Sequence, residues 1–200
     1  MSLAASDSQH GASRHTEPTG KPIGKTIAES RVRLSQFMHI DQANAVGNVH
    51  GGEIVKLVDE AGALAAIRHA RSLVVTVAID SMTFMEPIYV GNVVTLDAEL
   101  TYVGNTSMEV RVEVSAENAL TGAHTTTNSA YLVYVAIDSQ GRPQRIPPLI
   151  AETEDEREIM EAARERQAYR KQQRQREKHA RQRLKATQGS NADRMDSKHG

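Results

Sequence analysis

The most distinctive pattern of the chain is an apolar run between positions 51 and 69 that repeats with the period of a helix. At about 100° per residue, one stripe of this helix is entirely apolar and several of its members are small. Only a narrow strip with Lys56 and Glu60 is polar. The pattern predicts about five turns of helix, beginning at Gly51 and Gly52, that are buried on nearly all sides. The apolar stripe and its flanks comprise Ile54, Val55, Leu57, Val58, Ala61, Gly62, Leu64, Ala65 and Ala66.

Asp59 stands out in this helix because it lies outside the polar strip, on a shoulder with Val55, Ala63 and Ala66. An ionised carboxylate in apolar surroundings costs free energy unless a polar group meets it. We therefore expect Asp59 to be paired, protonated or lining a cavity, and its small neighbours favour a cavity. A buried helical carboxylate is more often structural than catalytic, so the position alone leaves its role open.

Alternating patterns around the helix predict β-strands. Residues 73–84 are almost continuously apolar and β-branched, which is typical of a central strand. Two alternating runs separated by Gly104-Asn105 predict an antiparallel hairpin. One buried helix against an antiparallel meander predicts an α+β architecture. The predicted strands cover residues 26–38, 73–84, 93–103, 108–115 and 124–138.

The composition changes along the chain and predicts four segments. Residues 1–23 are rich in Ser, Gly, His, Thr and Pro and form a leader that we expect to be disordered. Residues 24–150 carry the apolar patterns and form the domain. Residues 151–186 predict a charged helix, acidic at its start and basic toward its end, which complements the helix dipole. Residues 187–200 predict a disordered tail.

Charge and composition exclude several classes of protein. The formal net charge of −1 predicts no nucleic-acid or membrane partner. The absence of cysteine excludes disulfides and thiolate chemistry, and the histidines show no metal-ligand spacing. No window approaches the ~20 apolar residues of a membrane span, and the first residues lack the apolar core of a secretory signal. We expect a cytoplasmic protein with no metal.

The candidate chemistry lies in the loop and helix between Asn44 and Asp59. Amides at a helix N-terminus, here those of Gly51 and Gly52, can hold a carbonyl oxygen that becomes negatively charged. Asp59 lies about 12 Å further along the axis at 1.5 Å per residue, so it cannot easily reach a carbonyl held there. The spacing therefore predicts a site shared between two subunits. Asn44 as a cap or turn residue, the glycines as a turn, and His50 as a cap remain alternatives.

Two segments resemble a known family. The runs DQANAVGNVHGG at residues 41–52 and LVDEAG at residues 57–62 are similar to the signature of hotdog-fold acyl-CoA thioesterases. The closest resemblance is to the cytosolic, brain-type long-chain acyl-CoA hydrolases, and it extends over about residues 26–175. The resemblance implies a curved antiparallel sheet wrapped around the long helix.

The resemblance also implies an activity, site residues and an assembly. The activity is hydrolysis of fatty acyl-CoA to the free acid and CoA, with no cofactor. Asp59 would be the base or nucleophile, Asn44 would position water or the thioester, and Gly51 or Gly52 would polarise the carbonyl. Because one domain bears both polar residues, a homodimer would supply two sites, and the dimers would assemble as a trimer. Substrate contacts would come from His50, Val77, Ala78, Ile79, Thr106, Ser107, Met108 and Arg166.

Two other functions remain open at this point. One is a hotdog hydratase or dehydratase acting on enoyl thioesters, for which His50 is the available histidine. The other is a non-enzymatic acyl-CoA sensor that meets a partner through the basic segment 164–185.

Overall fold

The computed structural model describes residues 23–196. They divide into two units, the first ending at Glu152 and the second beginning at Thr153. The first is an α+β domain and the second is one long helix, α3 (Glu154–Asp196). The other elements, in chain order, are β1 (Lys25–Thr26), α1 (Ile27–Ser30), β2 (Val32–Phe37), a 3-10 turn (Ile40–Gln42), α2 (Gly51–Ala70), β3 (Leu73–Phe84), β4 (Asn92–Val103), β5 (Ser107–Asn118), β6 (His124–Ile137) and β7 (Leu149–Ile150).

The domain is built on a five-stranded antiparallel sheet with the order β2-β4-β5-β6-β3. The hairpin predicted around Gly104-Asn105 is confirmed as β4 and β5. The prediction that residues 73–84 form a central strand is wrong, because within residues 23–196 β3 pairs only with β6 and lies at the edge of the sheet. Its apolar residues are therefore partly exposed in a single chain, with Val75 at 42% and Ile79 at 44%.

The long helix α2 packs on one face of this sheet. The apolar stripe predicted from the sequence faces the strands, and Val58, Ala61 and Ala65 are fully buried there. Alternate residues of β4, β5 and β6 complete the core, each large apolar side chain contributing about 1.5–3 kcal/mol on burial. The opposite side of α2 is less covered than predicted, because Leu64 is 44% exposed and Ile67 is 39% exposed.

The start of the domain differs from the single strand predicted for residues 26–38. Thr26 accepts a hydrogen bond from the backbone N–H of Glu29, while the Glu29 carboxylate accepts one from the backbone N–H of Thr26. This capping box nucleates α1, and Ile27 becomes buried. The strand β2 begins only at Val32. The cause is the Thr-x-x-Glu pattern, which competes with the apolar alternation around it.

The C-terminal unit begins with a side-chain cap. The hydroxyl of Thr153 accepts a hydrogen bond from the N–H of Glu156, and three acidic residues occupy the first turn. The helix continues past the predicted end at residue 186, because no proline follows position 148 and one glycine is too weak to end it. The leader predicted over residues 1–23 and the end of the predicted tail lie almost wholly outside the described residues.

No helix within residues 23–196 combines the length and the apolar character needed to cross a membrane.

Candidate active site

Asn44 sits in a tight turn that fixes the orientation of its side chain. Its Oδ1 accepts hydrogen bonds from the backbone N–H groups of Val46 and Asn48, at 3.0 and 3.2 Å. Gly47 closes the turn with a φ of +88°, a conformation that favours glycine. Because Oδ1 is held by two amides, Nδ2 points the other way. Among residues 23–182 it has no hydrogen-bond acceptor, so it is a donor available to a ligand.

The N-terminus of α2 offers one further donor. His50 is the N-cap, and its Nδ1 accepts a hydrogen bond from the N–H of Gly52 at 2.9 Å. The N–H of Gly52 is therefore engaged within the chain. The N–H of Gly51 has no acceptor in the part of the chain that the structure describes, as expected for the first residue of a helix. Of the two glycine amides predicted to polarise a carbonyl, only that of Gly51 has no acceptor among residues 23–182.

Asn44 and Gly51 line one small cleft. It has a volume of about 260 Å³, and its remaining walls are mostly apolar. A cleft of this kind suits a carbonyl group attached to an apolar chain, since it combines polar donors with mostly apolar walls. The other lining residues are Asn48, Val49, Ile54, Phe84, Met85, Glu86, Pro87 and Ile88.

Asp59 is half-buried and hydrogen-bonded on one side. The hydroxyl of Thr76, on β3, donates to Oδ1 at 2.8 Å. The hydroxyl of Tyr134, on β6, lies 3.1 Å from the same Oδ1 and 3.0 Å from the backbone carbonyl oxygen of Asp59. Oδ2 has no hydrogen-bond donor within residues 23–182. The structure therefore gives the Asp59 side chain two polar partners, as expected for a polar group in apolar surroundings.

Tyr134 is fully buried beside this carboxylate. Burial, followed by the negative charge of Asp59, raises the pKa of Tyr134 far above its usual value. The phenol therefore keeps its proton and acts as a neutral hydrogen-bond donor.

The Asn44 cleft and the Asp59 carboxylate do not coincide in a single chain. The residues that line the cleft do not include Asp59, Thr76 or Tyr134. Asp59 lies eight residues after Gly51 on the same helix, which is about 12 Å along its axis. One chain thus presents two separate parts, a pair of donors and a carboxylate.

The residues expected to contact CoA fall in three places. Val77, Ala78 and Ile79 follow Thr76 on β3, partly exposed. The second group lies at the turn between β4 and β5, where Thr106 and Ser107 are partly exposed and the Met108 side chain is fully buried in the core. Arg166 lies on α3, in the second unit.

Sequence reasoning missed Thr76 and Tyr134. Thr76 is the one polar residue in the run Val74 to Ile79, and this contrast could have identified it. The sequence signal for Tyr134 is weaker. A buried tyrosine hydroxyl needs a hydrogen-bond partner, but the partner of Tyr134 is 75 residues away in sequence.

Comparison with known proteins places the chain in a family. The family model described as the thioesterase superfamily matches residues 46–123. An uncharacterized acyl-CoA thioester hydrolase of Bacillus subtilis is 35% identical over 136 residues, which cover 68% of this chain and 78% of that protein. The chain belongs to the thioesterase superfamily, and the predicted hotdog fold is confirmed.

Within the family, the chain is similar to the cytosolic acyl coenzyme A thioester hydrolase of Mus musculus. The identity is 32% over 147 residues, which cover 72% of this chain. They cover only 39% of the mouse protein, so this chain spans about two fifths of the length of that relative.

Solved structures agree with this assignment. A hexameric acyl-CoA thioesterase superposes with a TM-score of 0.73 at 36% identity, covering 76% of this chain and 97% of its own. An acyl-CoA hydrolase from Staphylococcus aureus, in complex with butyryl coenzyme A and coenzyme A, also superposes with a TM-score of 0.73. Its sequence identity is 29%, and the match covers 80% of this chain and 98% of that chain. That enzyme was also solved with alanine replacing an asparagine, an aspartate or a threonine. The sequence intervals between those three positions equal the intervals between Asn44, Asp59 and Thr76.

Proposed function

We propose that the chain is an acyl-CoA thioester hydrolase whose active site forms between two copies of the chain. The observation that carries the proposal is the geometry around α2. Two donors, Nδ2 of Asn44 and the N–H of Gly51, belong to residues that line the cleft beside its N-terminus, and a carboxylate lies about 12 Å further along the helix. A thioester carbonyl bound at the donors of one copy needs an acidic group from elsewhere. The second copy supplies it as Asp59.

The reaction follows from the roles of these groups. The N–H of Gly51 and Nδ2 of Asn44 donate to the carbonyl oxygen of the thioester and stabilise the negative charge that develops on it. Asp59 of the second copy takes a proton from water, whose oxygen forms a bond to the carbonyl carbon. The carbon–sulfur bond then breaks, and the departing sulfur takes the proton from Asp59. The products are a carboxylic acid and the CoA thiol.

Direct attack by Asp59 is the second form of this mechanism. One oxygen of the carboxylate bonds to the carbonyl carbon and CoA leaves, which gives a mixed anhydride. Water then cleaves the anhydride and regenerates Asp59. Both forms need the same donors and the same carboxylate, and Asp59 remains the base or the nucleophile.

The open edge of the sheet supports dimerisation. The strand β3 has an unpaired edge within the described residues, and an unpaired edge favours addition of another strand. The exposed Val75 and Ile79 on β3, and Leu64 and Ile67 on α2, provide apolar surface for a second copy. We propose that two copies pair along β3 and that the dimers assemble as a trimer, which matches the hexameric relative.

The substrate proposed is a fatty acyl-CoA. The apolar walls of the cleft suit an acyl chain. We propose that CoA contacts Val77, Ala78 and Ile79 and the backbone at Thr106, Ser107 and Met108. The contact predicted for Arg166, which belongs to the second unit, stays a prediction. No cofactor takes part. The cytosolic name of the mouse relative supports a cytoplasmic location.

The test is hydrolysis of acyl-CoA esters of graded chain length, followed through release of the free thiol. Asp59→Asn and Asn44→Ala are each expected to lose most turnover while the protein stays folded and oligomeric. Hydrolysis at the wild-type rate by either variant contradicts the proposal. Hydration of an enoyl-CoA, measured in parallel, identifies the hydratase alternative.

Mixing the two inactive variants tests the shared site directly. If the chains are unfolded, mixed and refolded together, half of the dimers carry one copy of each variant. In such a dimer one site holds both substitutions and the other holds neither, so about a quarter of the wild-type activity returns. A site within one chain predicts no recovery.

A further inference from the structure

The two oxygens of the Asp59 carboxylate have different surroundings. Oδ1 is within hydrogen-bond distance of two hydroxyl groups, those of Thr76 and Tyr134. Oδ2 has no donor among residues 23–182. A carboxylate that is held through one oxygen presents the other in a fixed direction.

We propose that Tyr134 is a positioning residue for Asp59 and that Oδ2 is the oxygen that meets water or the thioester. The proposal rests on the proposed hydrolase function and adds to it a residue outside the loop and helix signature. Tyr134 acts through Asp59 and does not touch the substrate.

The hydroxyl of Tyr134 connects the carboxylate to its own backbone. It lies 3.0 Å from the carbonyl oxygen of Asp59 and 3.1 Å from Oδ1, so one group contacts both ends of the residue. The carbonyl is fixed because it belongs to a helix. The phenol carries one proton, and a charged oxygen is the stronger acceptor, so the proton goes mainly to Oδ1. This arrangement restricts rotation of the carboxylate.

The approach of Tyr134 depends on Gly62. A Cβ atom at position 62 would overlap the Tyr134 hydroxyl oxygen and lie 3.1 Å from Cζ of the ring. Gly62 is one turn after Asp59 on α2, on the same side of the helix. The small residues around Asp59 were interpreted from the sequence as the sign of a cavity. At Gly62 the space is filled by the tip of a tyrosine.

The rest of Tyr134 is held rigidly. It is a residue of β6, an interior strand paired on both sides with β5 and β3, and it is fully buried. Its hydroxyl is therefore placed by the sheet and not by a mobile loop. Thr76, which holds the same oxygen, comes from β3, the next strand. Two adjacent strands thus fix one carboxylate oxygen of the helix that they cover.

Loss of this restraint is expected to reduce the rate of the chemical step. Small displacements of a reacting group lower turnover by roughly 10- to 100-fold, whereas substrate binding at Asn44 and Gly51 is not affected. The expected signature is therefore a lower kcat with KM within about twofold of the wild-type value.

The test uses Tyr134→Phe, which keeps the ring and removes the hydroxyl, in the full chain with an acyl-CoA substrate. We expect kcat to fall at least 10-fold. The oligomeric mass should stay the same, and Tm should remain within a few degrees. Tyr102→Phe is the matched control, because Tyr102 is a partly buried residue of β4 with no hydrogen bond from its hydroxyl to residues 23–182, and it should keep the wild-type kcat.

Gly62→Ala provides a second, independent variant. Its methyl group displaces the Tyr134 hydroxyl although the tyrosine is still present, so kcat should fall in the same way. In the double variant Gly62→Ala/Tyr134→Phe the losses should not add, because both substitutions remove the same contact. Should Tyr134→Phe fail to fold, Gly62→Ala carries the same measurement.

The outcomes separate this inference from the proposed function. A wild-type chain that does not hydrolyse acyl-CoA overturns the proposed function, and the positioning role with it. An active wild type, with Asp59→Asn inactive and Tyr134→Phe at the wild-type kcat, overturns the positioning role alone. A rise in KM at unchanged kcat also overturns it, because Tyr134 would then act on substrate binding.

Discussion

His50 Nδ1 accepts a hydrogen bond from the backbone N–H of Gly52 at 2.9 Å, at the first turn of α2. The contact engages the amide of Gly52 and leaves that of Gly51 for a ligand. His50 is also a residue expected from the family resemblance to contact substrate. The structure shows a cap, and substitution can distinguish the two roles.

We predict that asparagine at position 50 can perform the capping role of the histidine and that alanine cannot. Asparagine is a strong N-cap, so His50→Asn should keep the wild-type Tm and kcat. His50→Ala should lower the free energy of unfolding by about 1 kcal/mol and Tm by a few degrees. Thermal unfolding and steady-state kinetics on the three proteins provide the check. If His50→Asn keeps its stability but loses turnover, the imidazole contacts the substrate.

Replacing Asn44 by aspartate tests the donor Nδ2 more specifically than removing the side chain does. In Asn44→Asp the oxygen that accepts from Val46 and Asn48 is retained, so the turn should remain. The donor Nδ2 is replaced by a charged oxygen, which repels the developing negative charge. We predict a loss in kcat of roughly 100-fold or more, as for other lost donors to an oxyanion, with little change in Tm.

Asn44→Ala is the comparison, since it removes both the turn contacts and the donor. It should lose activity to a similar degree and some stability as well. Circular dichroism melts and kcat for the pair separate the two functions of the side chain. High activity in Asn44→Asp contradicts the assignment of Nδ2 as a donor to the carbonyl.

The parts of the fold that could be predicted from the sequence are those with strong local patterns. The helix over residues 51–70 has a period of 3.6 across many residues, and the β4–β5 hairpin has clear alternation on both sides of one turn. The edge position of β3 could not be predicted this way. An edge strand that pairs with a second copy of the chain has the same apolar composition as a central strand, because it too becomes buried.

The candidate site also contains residues that a local pattern predicts and a residue that it does not. Asn44, Gly51 and Asp59 lie within one short segment whose sequence is distinctive, and a helix rise of 1.5 Å per residue is enough to predict their separation. Tyr134 is brought to Asp59 only by the pairing of β6 with β3, so no local pattern connects them. The capping box that forms α1 is a local pattern, Thr-x-x-Glu, which the prediction of a single strand over residues 26–38 did not take into account.

His69 is expected to make stability depend on pH. It is fully buried at the end of α2, where Nε2 donates to the carbonyl oxygen of Pro147 at 2.9 Å. Nδ1 is buried without a partner among the described residues. Burial lowers the pKa of His69, the hydrogen bond to Pro147 opposes this, and the nearby Lys25 and Glu29 charges act in opposite directions. The folded chain therefore binds a proton less readily than the unfolded chain.

The sign of the effect follows from this difference. The free energy of unfolding is not reduced by His69 above the pKa of about 6.5 that the histidine has in the unfolded chain. It decreases as the pH falls from there toward the lower pKa of the folded chain. We predict that Tm drops between pH 7.5 and pH 5.5 by a few degrees more in the wild type than in His69→Gln, whose amide can still donate to Pro147. Equal drops in the two proteins contradict the role of His69.

The exposed edge of β3 provides the last prediction, which concerns assembly. Val75 is 42% exposed on the strand that we propose to pair with a second copy. A charged residue there would be buried without a partner in the dimer, at a cost of several kcal/mol. Val75→Glu should therefore be a folded monomer in light scattering. It should also lose nearly all turnover, because each site needs Asp59 from a second chain.

Leu120→Glu is the matched control for this substitution. Leu120 is 97% exposed in the turn between β5 and β6 and does not belong to β3. The same change of charge there should leave both the oligomeric mass and the activity at wild-type values. A monomeric Val75→Glu that hydrolyses acyl-CoA at the wild-type rate shows that one chain holds a complete site. Such a result would contradict the shared arrangement of Asn44 and Asp59.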